Sequence, residues 1–135
     1  MADIKIYNPS GLAHPAGPFC HIADVTGQRL AFIAGQTPVD ENGATVGKSD
    51  FEAQAQQVFA NIHAALRALG GDWKNVVQFT SYLVRPEDSA AFRAFRGREF
   101  SKMFPGGAYP PNTLLIINRL ADPDYWLEVQ TVAAL

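Results

Sequence analysis

One cysteine, Cys20, is all the thiol chemistry this chain carries, so no internal disulfide staples it and the fold must come from burial. Long hydrophobic runs are missing as well. No stretch approaches the roughly 20 apolar residues of a membrane helix, and Met1-Ala2-Asp3-Ile4-Lys5-Ile6 has no basic segment leading into an apolar one. The expectation is a cytoplasmic protein with no membrane partner. Charge of one sign is lacking: 11 basic against 13 acidic residues leave a net charge of −2, which advertises no nucleic-acid partner. The three histidines, His14, His21 and His63, lie far apart, without HExxH or CxxC spacing, so no metal site is expected. Neither GxGxxG, GxxxxGK[ST] nor GxSxG occurs, so dinucleotide binding, P-loop chemistry and the hydrolase elbow are unsupported. Cys20 and His21 are neighbours, and on a strand neighbours point to opposite faces, so they make a poor nucleophile pair.

What is present suits one domain, residues 1–135: 47% of the chain is hydrophobic and 18% charged, enough to build a core. Residues 1–18 are rich in turn formers and read as a surface wrap. Phe19 to Val25 and Arg29 to Ala34 read as strands joined through Thr26-Gly27-Gln28 into an opening hairpin. Asn42-Gly43 signals a tight turn. Ser49-Asp50-Phe51-Glu52 has the form of a capping box. After it, Phe51, Ala55, Val58, Phe59, Ile62, Ala65, Leu66 and Leu69 recur at helical spacing until Gly70-Gly71. Asn75 to Val84 reads as a central strand, with Val77, Phe79 and Leu83 on one face and Val76, Tyr82 and Val84 on the other. A second helix runs from Pro86-Glu87-Asp88 to Pro105-Gly106-Gly107 and carries Phe92, Phe95, Phe100 and Met103 on its apolar face. The order strands, helix, strand, helix, two strands predicts an α+β layer: a mixed sheet with two helices packed on one face.

Chemistry concentrates near the end of the chain. Pro110-Pro111 delivers Asn112 and Thr113 to the point where a loop becomes a strand, a usual place for ligand contacts. In the last strand Trp126, Glu128, Gln130 and Val132 share a face, opposite Leu127, Val129, Thr131 and Ala133. A carboxylate among large apolar groups suits proton transfer if the face lines a cleft; an edge-strand glutamate is the plainer alternative. Gly35, after Ala34, permits close approach of backbone or ligand, or marks a bulge. On the second helix Arg96 and Glu99 project among the phenylalanines, either as an i,i+3 ion pair or as side chains reaching into a cleft.

Taken together, Gly17-Pro18-Phe19, Ile33-Ala34-Gly35-Gln36-Thr37-Pro38, the helix with Gln56, Asn61 and Ala65-Leu66, Val76-Val77-Gln78-Phe79-Thr80-Ser81-Tyr82-Leu83, Tyr109-Pro110-Pro111 and Leu127-Glu128-Val129-Gln130-Thr131-Val132-Ala133 resemble the Rid (YjgF) family over nearly the whole chain. The resemblance implies a chorismate-mutase-like subunit assembled as a homotrimer, with a ligand cleft between each pair of subunits. It also implies cofactor-free hydrolysis of small enamines or imines to keto acids and ammonia. In the family pattern an arginine after the proline loop clamps a substrate carboxylate, and a glutamate on the last strand assists water. A tyrosine after Gly-Pro and a serine before Gly-Gln shape the pocket.

Glu128 matches the glutamate and Gly35 the strand-end backbone. Asn112 stands in place of the arginine, followed by Thr113; Phe19 replaces the tyrosine, Ala34 the serine, and Leu114 a cysteine. Hydrogen bonds to charged groups are worth about 1.5–3 kcal/mol, so losing the clamp weakens binding of a simple imino acid roughly ten- to a hundredfold. Arg93 and Arg96 are the candidates to supply the missing charge. The leading expectation is a deaminase-type hydrolase in which Glu128 is catalytic. Asn112, Thr113, Gly35, Phe19, Ala34, Leu114, Arg93 and Arg96 would bind substrate. The alternatives are a catalytically silent trimeric binder or sensor and an endoribonuclease.

Overall fold

The computed structural model describes residues 2–27 and 29–135. Six strands and two α-helices follow in the order β1 (Asp3–Tyr7), β2 (Ile22–Thr26), β3 (Leu30–Gln36), α1 (Phe51–Ala68), β4 (Val76–Leu83), α2 (Asp88–Met103), β5 (Asn112–Ile116) and β6 (Leu127–Ala134). A short 3-10 turn, Trp73–Asn75, leads into β4. The main sheet has four strands in the order β3-β6-β4-β5. It is mixed, because β4 and β5 run parallel across the α2 crossover while β6 is antiparallel to both neighbours. The α+β class with helices against one sheet face is therefore as expected from the order of elements.

The chain's opening departs from expectation. Ile4 and Ile6 alternate with polar residues inside the supposed wrap and form β1, which pairs antiparallel with β2. The hairpin predicted between Phe19–Val25 and Arg29–Ala34 does not form: β2 belongs to the two-stranded β1-β2 sheet, and β3 instead pairs with β6. Gln28, placed at the tip of that predicted turn, lies outside the described residues. The Asn42-Gly43 turn is present, with Gly43 at φ 81° and its N–H donating to Asp40.

Helix α1 begins one residue later than the capping-box pattern implied. Ser49 sits at φ 61°, a left-handed conformation that turns the chain, and the cap passes to Asp50, whose carboxylate accepts from Ala53 N at 3.1 Å. Beyond the cap, Phe51, Ala55, Val58, Phe59, Ile62 and Leu66 are all buried against the sheet. The Phe59 ring lies 5.3 Å from Phe95 and 5.8 Å from Phe79 and Phe100, so both helices and β4 meet on one aromatic cluster.

Strand β4 is central, as its apolar pattern implied, but a register shift between Val76 and Gln78 changes its facing. Val76, not Val77, joins Phe79 and Leu83 in the core. Beyond the bulge Gln78 is exposed and Thr80 and Tyr82 are half-exposed, so the described residues leave the far face open. That face carries large exposed apolar groups, with Phe32 75% and Leu30 55% accessible. No helix among the described residues is long and apolar enough to cross a membrane.

Candidate functional site

The double proline sets the start of β5. Phe79 N donates to Pro111 O at 2.9 Å, which places Asn112 in register with Phe79 at the strand's first residue. Because Phe79 points into the helix-covered core, Asn112 and Leu114 lie on that side of the sheet, whereas Thr113, opposite Thr80, lies on the other. The buried Ser81 hydroxyl donates to Asn112 Oδ1 at 2.7 Å. With its carbonyl satisfied in this way, Asn112 keeps its Nδ2 hydrogens as donors without a protein partner among the described residues.

Asn112 and Leu114 line a cavity of about 250 Å³ together with Phe19, Ala16, Gly17 and two arginines of α2, Arg93 and Arg96. The N-terminal segment reaches this place because Cys20 N donates to Tyr109 O at 3.0 Å and His21 N to Asn8 Oδ1 at 2.8 Å. Phe19 is held edge-on against His21 with ring centroids 5.8 Å apart. Of the two arginines Arg93 is exposed, while Arg96 is only 6% accessible and lies 4.5 Å over the Phe92 ring. Burial, and then the like charge of Arg93, lower the Arg96 pKa to about 10. The expected Arg96–Glu99 ion pair is absent: Glu99 instead engages Lys102 at 3.3 Å and Arg98 at 3.5 Å. The reason is helical phase, since Arg96 turns toward β5 and Phe92 while Glu99 turns toward Gln56 and Lys102.

Glu128 sits on the opposite face, in register with Tyr82. Strand β6 lies between β3 and β4, so this is not an edge-strand glutamate. Its side chain is folded over Gly35. A Cβ built there would meet Glu128 Cδ at 2.8 Å and Cγ at 2.9 Å, with Oε1 nearer still. The room exists because β3 bulges between Ile33 and Gln36, putting Ala34 and Gly35 across from Gln130. No hydrogen-bond partner among the described residues meets the Glu128 carboxylate, and burial raises its pKa.

Residues 11–135 match the family described as endoribonuclease L-PSP. The chain belongs to the Rid (YjgF/RutC) family. A RutC family protein from Synechocystis is 32% identical over 133 residues, covering 98% of this chain and 97% of its own. AldR, named as a candidate regulator in Lactococcus lactis, is 34% identical over 113 residues, 78% of this chain and 87% of its own. Among solved structures, the Rid protein YyfB of Yersinia pestis superposes with a TM-score of 0.86 at 32% identity, with 98% of each chain covered. The YjgF protein of Escherichia coli, at 23% identity with 96% and 98% covered, shares the fold with a TM-score of 0.69.

Within this Rid chain the expected site residues fall into two groups. Phe19, Asn112, Leu114, Arg93 and Arg96 surround the cavity between α2 and β5. Glu128, Gly35, Ala34 and Thr113 lie on the open sheet face, so Asn112 and Thr113 are not side by side in one pocket. Ser81, which holds Asn112, and the buried Gln54 are not among the expected site residues. Gln54 is fully buried, donates to Gly47 O at 3.1 Å and Asp124 O at 2.9 Å, and accepts from Trp126 N at 2.8 Å. It thereby anchors the approach to β6, and its position three residues after Phe51, on the apolar stripe of α1, was the available signal.

Proposed function

We propose that this Rid protein is a cofactor-free hydrolase of the deaminase type, acting on a small enamine, imine or related carbonyl compound in a cleft between subunits of a homotrimer. The observation that carries the reading is the Glu128 carboxylate, lodged over Gly35 without a hydrogen-bond donor among the described residues and with its pKa raised by burial. A carboxylate in that state is a stronger base than an exposed one and suits removal of a proton from water as it adds to a C=N carbon. Carbonyl formation with loss of ammonia then needs that proton returned to nitrogen, which the same carboxyl group can deliver.

Self-association is supported by the two-faced distribution of the site. Within one subunit a four-stranded sheet separates Glu128 from the Asn112 cavity, so a cleft using both draws them from different copies. The surface suits this. Strand β5 is an uncovered edge with Leu114, Leu115 and Ile116 exposed, and the open face carries Leu30 and Phe32. In the assembled cleft Asn112 would donate to the substrate carbonyl or imine neighbour, Phe19 and Leu114 would wall off water, and Thr113, Ala34 and the Gly35 backbone would complete the Glu128 side.

A silent binder or sensor is the second reading, favoured by Phe19, Ala34 and Asn112 where the family pattern has a tyrosine, a serine and an arginine. RNA cleavage draws less support from the surface, because Arg98 and Lys102 are already paired with Glu52 and Glu99. The test is release of ammonia and keto acid from 2-aminoacrylate generated in place. Turnover lost in Glu128→Gln supports hydrolysis. Turnover seen only after Asn112→Arg points to a different natural substrate, and silence in the native protein and both variants favours the binder.

A further inference from the structure

We propose that Arg96, assisted by Arg93, is the seat for a ligand carboxylate in the α2–β5 cavity, so that this protein's substrates are compact organic acids despite Asn112 at the head of β5. The proposal rests on the hydrolase reading only in taking this cavity as the substrate half of the cleft.

Arg96 is 94% inaccessible, yet its guanidinium donates to no protein acceptor among the described residues, and its Nε is buried without a partner. Every other charge facing it is unhelpful. Arg93, one turn earlier, has the same sign; Glu99 is held by Lys102 and Arg98; and Glu52 is held by Arg98. Across the cavity stand Phe19, Leu114 and Asn112, none of them anionic. A buried cation without a counter-ion is costly to maintain. The Phe92 ring, 4.5 Å from the guanidinium carbon, offsets part of that cost, and the N–H groups have no protein acceptor among the described residues to compete with something that enters the cavity.

The occupant's chemistry follows from the walls. A planar fork matches a carboxylate with two parallel hydrogen bonds. Phe19 and Leu114 take an apolar substituent, and Asn112 Nδ2 offers a neutral donor for a carbonyl or imine adjoining the carboxylate. At about 250 Å³ the cavity falls at or below the small end of ligand sites, which restricts it to a compact acid. The cation that holds the acid thus comes from the middle of α2 instead of from the first residue of β5.

The test is calorimetric titration of the intact protein with 2-oxobutanoate, its methyl ester and inorganic phosphate, alongside Arg96→Met and Arg93→Gln. The expected result is 2-oxobutanoate binding that weakens roughly ten- to a hundredfold in Arg96→Met and less in the exposed Arg93→Gln. The methyl ester should bind as weakly as the acid does to Arg96→Met. Without ligand, Arg96→Met should melt above the native protein, because it removes an uncompensated buried charge. Equal affinity in Arg96→Met, no binding of the acid, or phosphate outcompeting it at equal concentration would overturn the seat. A lowered melting temperature in Arg96→Met would overturn it too, by showing that the Arg96 charge is not an uncompensated one in the protein without ligand. Binding without turnover would sink the hydrolase reading and leave the seat standing; turnover indifferent to Arg96→Met would do the reverse.

Discussion

Replacing Gly35 by alanine isolates the Glu128 carboxylate from the rest of the fold. The added methyl carbon would lie 2.8 Å from Glu128 Cδ and 2.9 Å from Cγ, and these side-chain atoms, with Oε1, are its nearest neighbours. Ordinary carbon–carbon contact is about 3.5–4.0 Å, so the carboxyl carbon must retreat by at least about 0.7 Å and its oxygens by more. Gly35 does not occupy the left-handed region, so alanine introduces no backbone strain there. The glycine-to-alanine change also restricts the unfolded chain, contributing about 0.4–1 kcal/mol in favour of folding. Stability should therefore hold within about 1 kcal/mol while catalysis collapses, since a displacement near 1 Å costs on the order of 100-fold in rate. Steady-state assay of ammonia release, paired with thermal melts, reads both quantities. A Gly35→Ala protein that keeps its full rate would refute the role assigned to the lodged carboxylate. One that melts far below the native protein would refute the premise that only Glu128 occupies that space.

Glu128→Gln should melt above the native protein at pH 7. Burial raises the carboxyl pKa in the folded state, so Glu128 favours folding fully only below its unfolded-state value, near 4.3, and that contribution is lost as pH rises through the folded pKa. The melting difference between the two proteins should shrink as pH falls toward 4, which melts across a pH series will show. Ser81→Ala removes the 2.7 Å hydrogen bond to Asn112 Oδ1 and should cost about 1 kcal/mol of stability. Freed to rotate, Asn112 should raise KM several-fold with kcat little changed, a split visible in steady-state kinetics. Phe59→Ala, at the centre of the aromatic cluster, should cost about 3–5 kcal/mol in chemical denaturation, a large share of the roughly 5–15 kcal/mol that holds a domain together.

Helical phase and strand alternation carried most of the architecture. The stripe from Phe51 to Leu66 announced α1, and the alternation from Leu127 to Ala133 gave the facing of β6 residue by residue. What escaped were features set by pairing between distant segments. Ile4 and Ile6 make a strand only because β2 is there to pair with them, and β3 leaves its sequence neighbour because β6 offers a better-buried ladder. The bulges at Val76–Gln78 and Ile33–Gln36 depend on the partner's register, which no local pattern encodes. The site divides in the same way. Strand alternation alone separated Asn112 from Thr113, but only the sheet order put Asn112 on the helix side and Glu128 on the open side. Arg96 was visible as a charge among the apolar groups of its helix; its lack of a partner among the described residues needed the positions of Glu99, Arg98 and Lys102.

A cleft built from the cavity of one subunit and the Glu128 face of another makes a direct demand on mixed assemblies. Glu128→Gln and Arg96→Met chains, each impaired alone, are co-expressed, mixed trimers are verified by native mass spectrometry, and imine hydrolysis is measured well below saturation. Random mixing of equal amounts leaves about one cleft in four with both halves intact, so about a quarter of native activity should return. A mixture no more active than the average of its separate components would contradict a shared cleft and the assignment of Glu128 to it.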